Sequence, residues 1–135
     1  MKKIASAMLS LIISGLLFLT VHAESDKSDM TYQLPDITVS LKQEKGKHYS
    51  TAVNLEISLS YNEKNKNVRA EIHEKKNQIV KTITKIMSDK YYDDVDSSFD
   101  RMMLKVQIVK AINKMFTTGQ IQTLHFKEFL FSKAR

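Results

Sequence analysis

No cysteine occurs in the 135 residues. That excludes a disulfide framework, a thiolate zinc site, a cysteine nucleophile and an acylated lipoprotein cysteine. With one Pro and three Gly, the chain has too few breakers for a flexible or low-complexity protein, and an apolar fraction of 42% is too high for wholesale disorder. No Gly-rich phosphate loop, no Gly-Xaa-Ser-Xaa-Gly elbow and no Ser, His and Asp at a recognised spacing can be found. Charge of one sign is also in short supply as a patch. The 21 basic and 15 acidic residues leave +6, but the lysines are spread through every segment and interleaved with acids. A nucleic-acid stripe with aromatic stacking platforms is therefore not expected.

What is present begins with a long apolar run. After Lys2 and Lys3, Ile4 to Val21 carries no charge and closes on Val21-His22-Ala23, with small residues at the positions a signal peptidase reads. The run is at the lower edge of what spans a bilayer, roughly 20 residues, so residues 1–23 read either as a cleavable leader or as a retained anchor. Preceding positive charge places the remainder across the membrane in both cases. Loss of the leader would leave 19 basic against 15 acidic residues, or +4. Residues 24–33 are polar without a period and read as a linker, and residues 34–135 read as one domain, for which the length suffices.

Within that domain, Ile37, Val39 and Leu41 alternate with polar residues, as a half-buried strand does. A turn at 42–47 containing Gly46 leads to the clearest element. From Tyr49 to Tyr61, every second residue (Tyr49, Thr51, Val53, Leu55, Ile57, Leu59, Tyr61) faces one side. From Val68 the period changes: Val68, Ile72, Ile79, Val80, Ile83, Ile86 and Met87 form one helical stripe, with Glu71, Glu74, Gln78, Lys81 and Lys85 opposite. The acids Asp93, Asp94, Asp96 and Asp100 precede or open the next helix, which Asp96 or Ser97 can cap. They lack the Gly and distal Glu of a calcium loop. This second helix, about Ser98 to Phe116, is apolar around most of its circumference. Such a helix is covered on more than one side, either by sheet and first helix or by a neighbouring subunit. Its first turns, Phe99, Met102 and Met103, are the candidate interaction residues.

In the final strand the alternation changes phase, from Leu124 and Phe126 to Phe129 and Phe131. One extra residue at Lys127 or Glu128 would return both pairs to one face, so a β-bulge is expected there. The order strand, strand, helix, helix, strand implies an α+β domain: an N-terminal hairpin and a bulged C-terminal strand in a small antiparallel sheet, with two helices on one face. His73-Glu74-Lys75-Lys76-Asn77 carries the first His and the Glu of a zinc helix, but Asn stands where the second ligand belongs. His48 and His125 join no pattern with it. No catalytic residue, cofactor site or metal site is assigned.

Leu34 to Phe131 resembles the periplasmic domain of the flagellar basal body-associated FliL family. Val106 to Phe116 with its Ala111-Ile112-Asn113, then Gly119, then Ile121, Leu124, Phe126, Phe129 and Phe131, is similar to that family's C-terminal pattern. The resemblance implies a non-enzymatic motor component at the inner membrane with a single span. Its periplasmic domain would be of stomatin/prohibitin type and form a ring of its own copies around the stator units, with MotB as a contact. The alternative is a cleaved, soluble periplasmic binding or adaptor module of the same fold.

Overall fold

The long alternating run becomes the axis of the sheet. In the computed structural model, which describes residues 29–134, the strands are β1 (Asp29–Gln33), β2 (Ile37–Ser40), β3 (Ser50–Asn62) and β4 (Thr123–Ala134). On β3, Val53, Leu55, Ile57, Leu59 and Tyr61 are buried, while Asn54 on the opposite face is exposed. β1 and β2 lie end to end along one edge of β3, and β4 runs antiparallel along the other. Gly46, at φ +85, turns the chain between β2 and β3, a conformation glycine adopts without steric cost.

The bulge in the last strand is where the phase argument puts it. Glu128 faces Glu56 and Phe126 faces Ile57, so Lys127 is the extra residue. Leu124 is buried, and Phe126, Phe129 and Phe131 pack half-buried against the core on the same face. On the other edge, Gln33 faces Ser58 and Ile37 faces Leu55, leaving Leu34, Pro35 and Asp36 opposite only two residues. Pro35 sits in that irregularity, where no ladder N–H is required. Both edges thus break register at the Glu56–Ile57 step.

Three expectations need correction. Residues 29–33, read as part of a linker, form a strand, because main-chain pairing with the end of β3 needs no alternating pattern of its own. The first helix is two: α1 (Lys66–Glu74) and α2 (Lys76–Ser88), broken at Lys75 (φ -98, ψ 12). The apolar stripe has a gap between Ile72 and Ile79, and the place nearest the core falls to Lys75. Its ammonium turns aside to the Glu71 carboxylate (2.6 Å) and the Met115 carbonyl. Among the described residues the α-helices therefore number three, on one face of the sheet. Finally, α3 (Ser98–Asn113) is not covered on two sides within one copy of the chain, which overturns the expectation that sheet and first helix cover both. Leu104, Ile108 and Ile112, four residues apart, are its buried residues. Ser97 is the N-cap, its Oγ accepting from the Asp100 N–H at 3.0 Å.

Candidate functional site

His73 gives Tyr32 a hydrogen-bond partner, Nδ1 to hydroxyl 2.8 Å. Asn77 lies beyond the helix break at Lys75, so the zinc-like string does not run along one helix. Among the described residues no group of three or more His, Asp or Glu side chains is placed to hold a metal.

Among the described residues the buried charge is Glu71, which the helical pattern assigns to the solvent face. It is 4% exposed. Its carboxylate accepts the backbone N–H groups of Thr117 (2.9 Å) and Thr118 (2.9 Å), both threonine hydroxyls (3.3 and 2.6 Å) and the Lys75 ammonium. Burial alone would push this carboxyl up. The hydrogen bonds from Lys75, Thr118 and Thr117 outweigh it and hold the group well below the usual carboxylate range. A second clasp lies beside it: Asn113 Oδ1 accepts from the Ile121 N–H (2.8 Å) and its Nδ2 donates to the Ile121 carbonyl (3.1 Å). Gly119 lies between the two, where an added Cβ would come within 2.6 Å of Val68 Cγ2. The α3–β4 loop is therefore fixed by polar groups and by a close approach that only glycine permits.

The other end of α3 is held as firmly. Arg101 Nε donates to the Val95 carbonyl (2.9 Å), and its guanidinium lies 4.3 Å from the Phe129 ring centroid. This anchoring leaves one side of the helix in solvent. Phe99 is 64% exposed, Met102 51%, Met103 51% and Val106 56%. Their spacing of i, i+3, i+4 and i+7 makes a single stripe, and at about 100° per residue it is centred opposite the stripe of Leu104, Ile108 and Ile112. The apolar circumference seen in the sequence is two stripes back to back, of which the monomer buries one. The structure brings the three candidate residues onto one exposed ridge and adds Val106, whose spacing to Phe99 already places it there.

The ridge has unlike flanks. One side borders a hollow whose wall carries four acids, Asp89, Asp93, Asp94 and Asp100, against Lys90 and Lys110; the other side, with Lys105, Lys110, Gln122 and Thr123, carries lysines and no acid. Of the residues that orient the helix, the sequence reading puts Glu71 on the solvent face, Lys75 in the zinc-like string and Asn113 in the family pattern, and gives none of them this clasping role. The Glu-Xaa-Xaa-Xaa-Lys spacing is the local signal for Glu71 and Lys75.

No helix of the described residues is long and apolar enough to cross a membrane; the apolar run Ile4 to Val21 and the candidate cleavage site lie outside them. No curated protein matches the chain. A family model, flagellar basal body-associated protein FliL, matches residues 31–131, from within β1 almost to the end of β4. All three helices and both loop clasps fall inside the match. This chain belongs to the flagellar basal body-associated FliL family, a structural component of the flagellum.

Proposed function

We propose that this chain supports the stator of the flagellar motor without catalysing a reaction, by assembling with its own copies through the outer stripe of α3. The observation that carries this is the exposure of Phe99, Met102, Met103 and Val106 on a helix fixed at both ends. A contiguous apolar ridge on a small domain marks an interaction surface, and methionine suits a contact that adapts to its partner. Acidic and basic flanks let the ridge of one copy seat against a different face of the next, acid to base, and such a head-to-tail contact forms a ring where the rotation closes. In this reading the domain is of stomatin/prohibitin type and lies in the periplasm. Ile4 to Val21 tethers it to the inner membrane, and the assembled copies surround stator units and contact MotB. Tethering in two dimensions raises effective concentration, so a contact too weak to dimerise the free domain suffices at the membrane.

The test is Met103→Glu in the full chain in its native membrane. Because Met103 is half-exposed, the substitution should leave the circular dichroism spectrum and thermal midpoint nearly unchanged while abolishing crosslinked multimers and stator-dependent localisation. Loss of the fold would mean the ridge belongs to the core. Unchanged crosslinking would remove the interface. Intact mass decides the tether: a chain starting at Glu24 favours the soluble adaptor reading, prompted by Val21-His22-Ala23.

A further inference from the structure

Where the β2–β3 hairpin and the 3-10 turn Tyr92–Asp94 approach the open end of the sheet, the aliphatic core gives out. The inward face of β3 continues there with Tyr49 and Thr51. A cleft of about 250 Å³ opens between these segments. Its walls carry charges of both signs. Lys133, opposite Thr51 in the β3–β4 register, has its Nζ 4.6 Å from the Tyr49 ring centroid, and Lys47 Nζ stands 5.8 Å from the same centroid. Glu44 and Asp93 line the same cleft. A third ammonium there, Lys42, is engaged by Asp89 at 3.5 Å. No ion pair joins Lys47 or Lys133 to Glu44 or Asp93; among the described residues the ion pairs are Lys42–Asp89 and Lys75–Glu71.

Two ammonium groups beside one aromatic ring and two carboxylates in the same hollow, with no ion pair between the sets, are complementary to a molecule that carries both charges itself. The volume restricts that molecule. A cleft of about 250 Å³, open to solvent on one side, accommodates a molecule the size of one amino acid or a dipeptide. We propose that this cleft binds a small zwitterion of the α-amino acid class. The carboxylate lies between Lys47 and Lys133, the side chain rests on the Tyr49 ring, and the ammonium faces Glu44 and Asp93. A lone anion would gain from the lysines but meet the two carboxylates, and a lone cation would meet the reverse, so each is bound less well than the zwitterion. The site uses none of the α3 ridge residues; Asp93 also lines the acidic hollow beside that ridge, and Met103→Glu tests the motor reading without touching the cleft.

The test uses the isotopically labelled full chain in detergent, followed by amide chemical shifts. Alanine and alanyl-alanine are the probes, because both are zwitterions but their charges stand at different separations; the tighter one identifies a free amino acid or a peptide as the source. The expected result is saturation at millimolar concentration with shifts confined to the hairpin, Tyr49, Thr51 and the Tyr92–Asp94 turn. Blocking either end, as N-acetylalanine or alanine amide, should weaken binding roughly tenfold, the loss of one charge-assisted contact. Lys133→Gln should do the same with an otherwise unchanged spectrum, whereas Lys105→Gln on α3, outside the cleft, should bind normally. Inorganic phosphate or N-acetylalanine binding as well as alanine would reduce the cleft to a general anion site and overturn the proposal. So would the absence of saturation by both zwitterions.

Discussion

Replacing Glu71 with Gln preserves the shape of the side chain but exchanges one carboxylate oxygen for an NH2 group. Both oxygens are in use: Oε1 accepts from the Thr118 N–H and hydroxyl, and Oε2 from Thr117 and Lys75. Whichever way the amide turns, one loop N–H faces a donor, and Lys75 loses its countercharge while keeping the Met115 carbonyl. A hydrogen bond to a charged group contributes about 1.5–3 kcal/mol, and a buried donor left without an acceptor costs about 1–3 kcal/mol. Breaking a buried ion pair costs about 3–5 kcal/mol, but the Lys75 side chain keeps 25% of its surface in solvent, which lowers that figure. Glu71→Gln should therefore cost about 3 kcal/mol at neutral pH, a fall in Tm on the order of 15 °C for a domain of about 100 residues. Equilibrium denaturation at a series of pH values is the assay. The folded-state pKa is depressed, so the carboxylate's contribution is fully present above the unfolded value, near 4.3, and is lost progressively as pH falls below it. Wild type and variant should converge in acid. Equal stability at pH 7, or a difference that stays constant down to about pH 3, would refute the account.

Gly119→Ala should destabilise by about 1–3 kcal/mol through overpacking, because the new methyl meets Val68 Cγ2; Val68→Ala in the same chain should recover part of that loss in thermal melts. Deleting Lys127 removes the bulge but leaves Leu124, Phe126, Phe129 and Phe131 in one regular alternation, so cooperative unfolding should persist in thermal melts, whereas deleting His125, within the regular part of β4, turns the buried Leu124 away from the core and should strongly destabilise the domain. Phe129→Ala should cost about 2 kcal/mol rather than the 3–5 typical of a fully buried ring, since the ring is half-buried between Phe126, Phe131 and Arg101; a silent substitution would place it in solvent.

The elements with a strong local period were legible without coordinates. The alternation from Tyr49 to Tyr61 specifies β3 and its inward face, because side chains on a strand alternate whatever the rest of the chain does. The phase change around Lys127 specifies a bulge for the same reason, and Ser97 marks its helix start through a bond three residues away. What needed the tertiary structure were features whose cause lies far along the chain. Glu71 looks like a solvent-facing helical residue until Thr117 and Thr118, 46 and 47 residues later, supply its donors, and the break at Lys75 follows from the same meeting. β1 has no pattern to read, since its main-chain groups are paired by β3. On α3 the sequence shows that apolar residues surround the helix, but which stripe the monomer covers depends on how the Glu71, Asn113 and Arg101 contacts orient it. An apolar periodicity states what a face can bury, and only the packed chain decides which face is left for a partner.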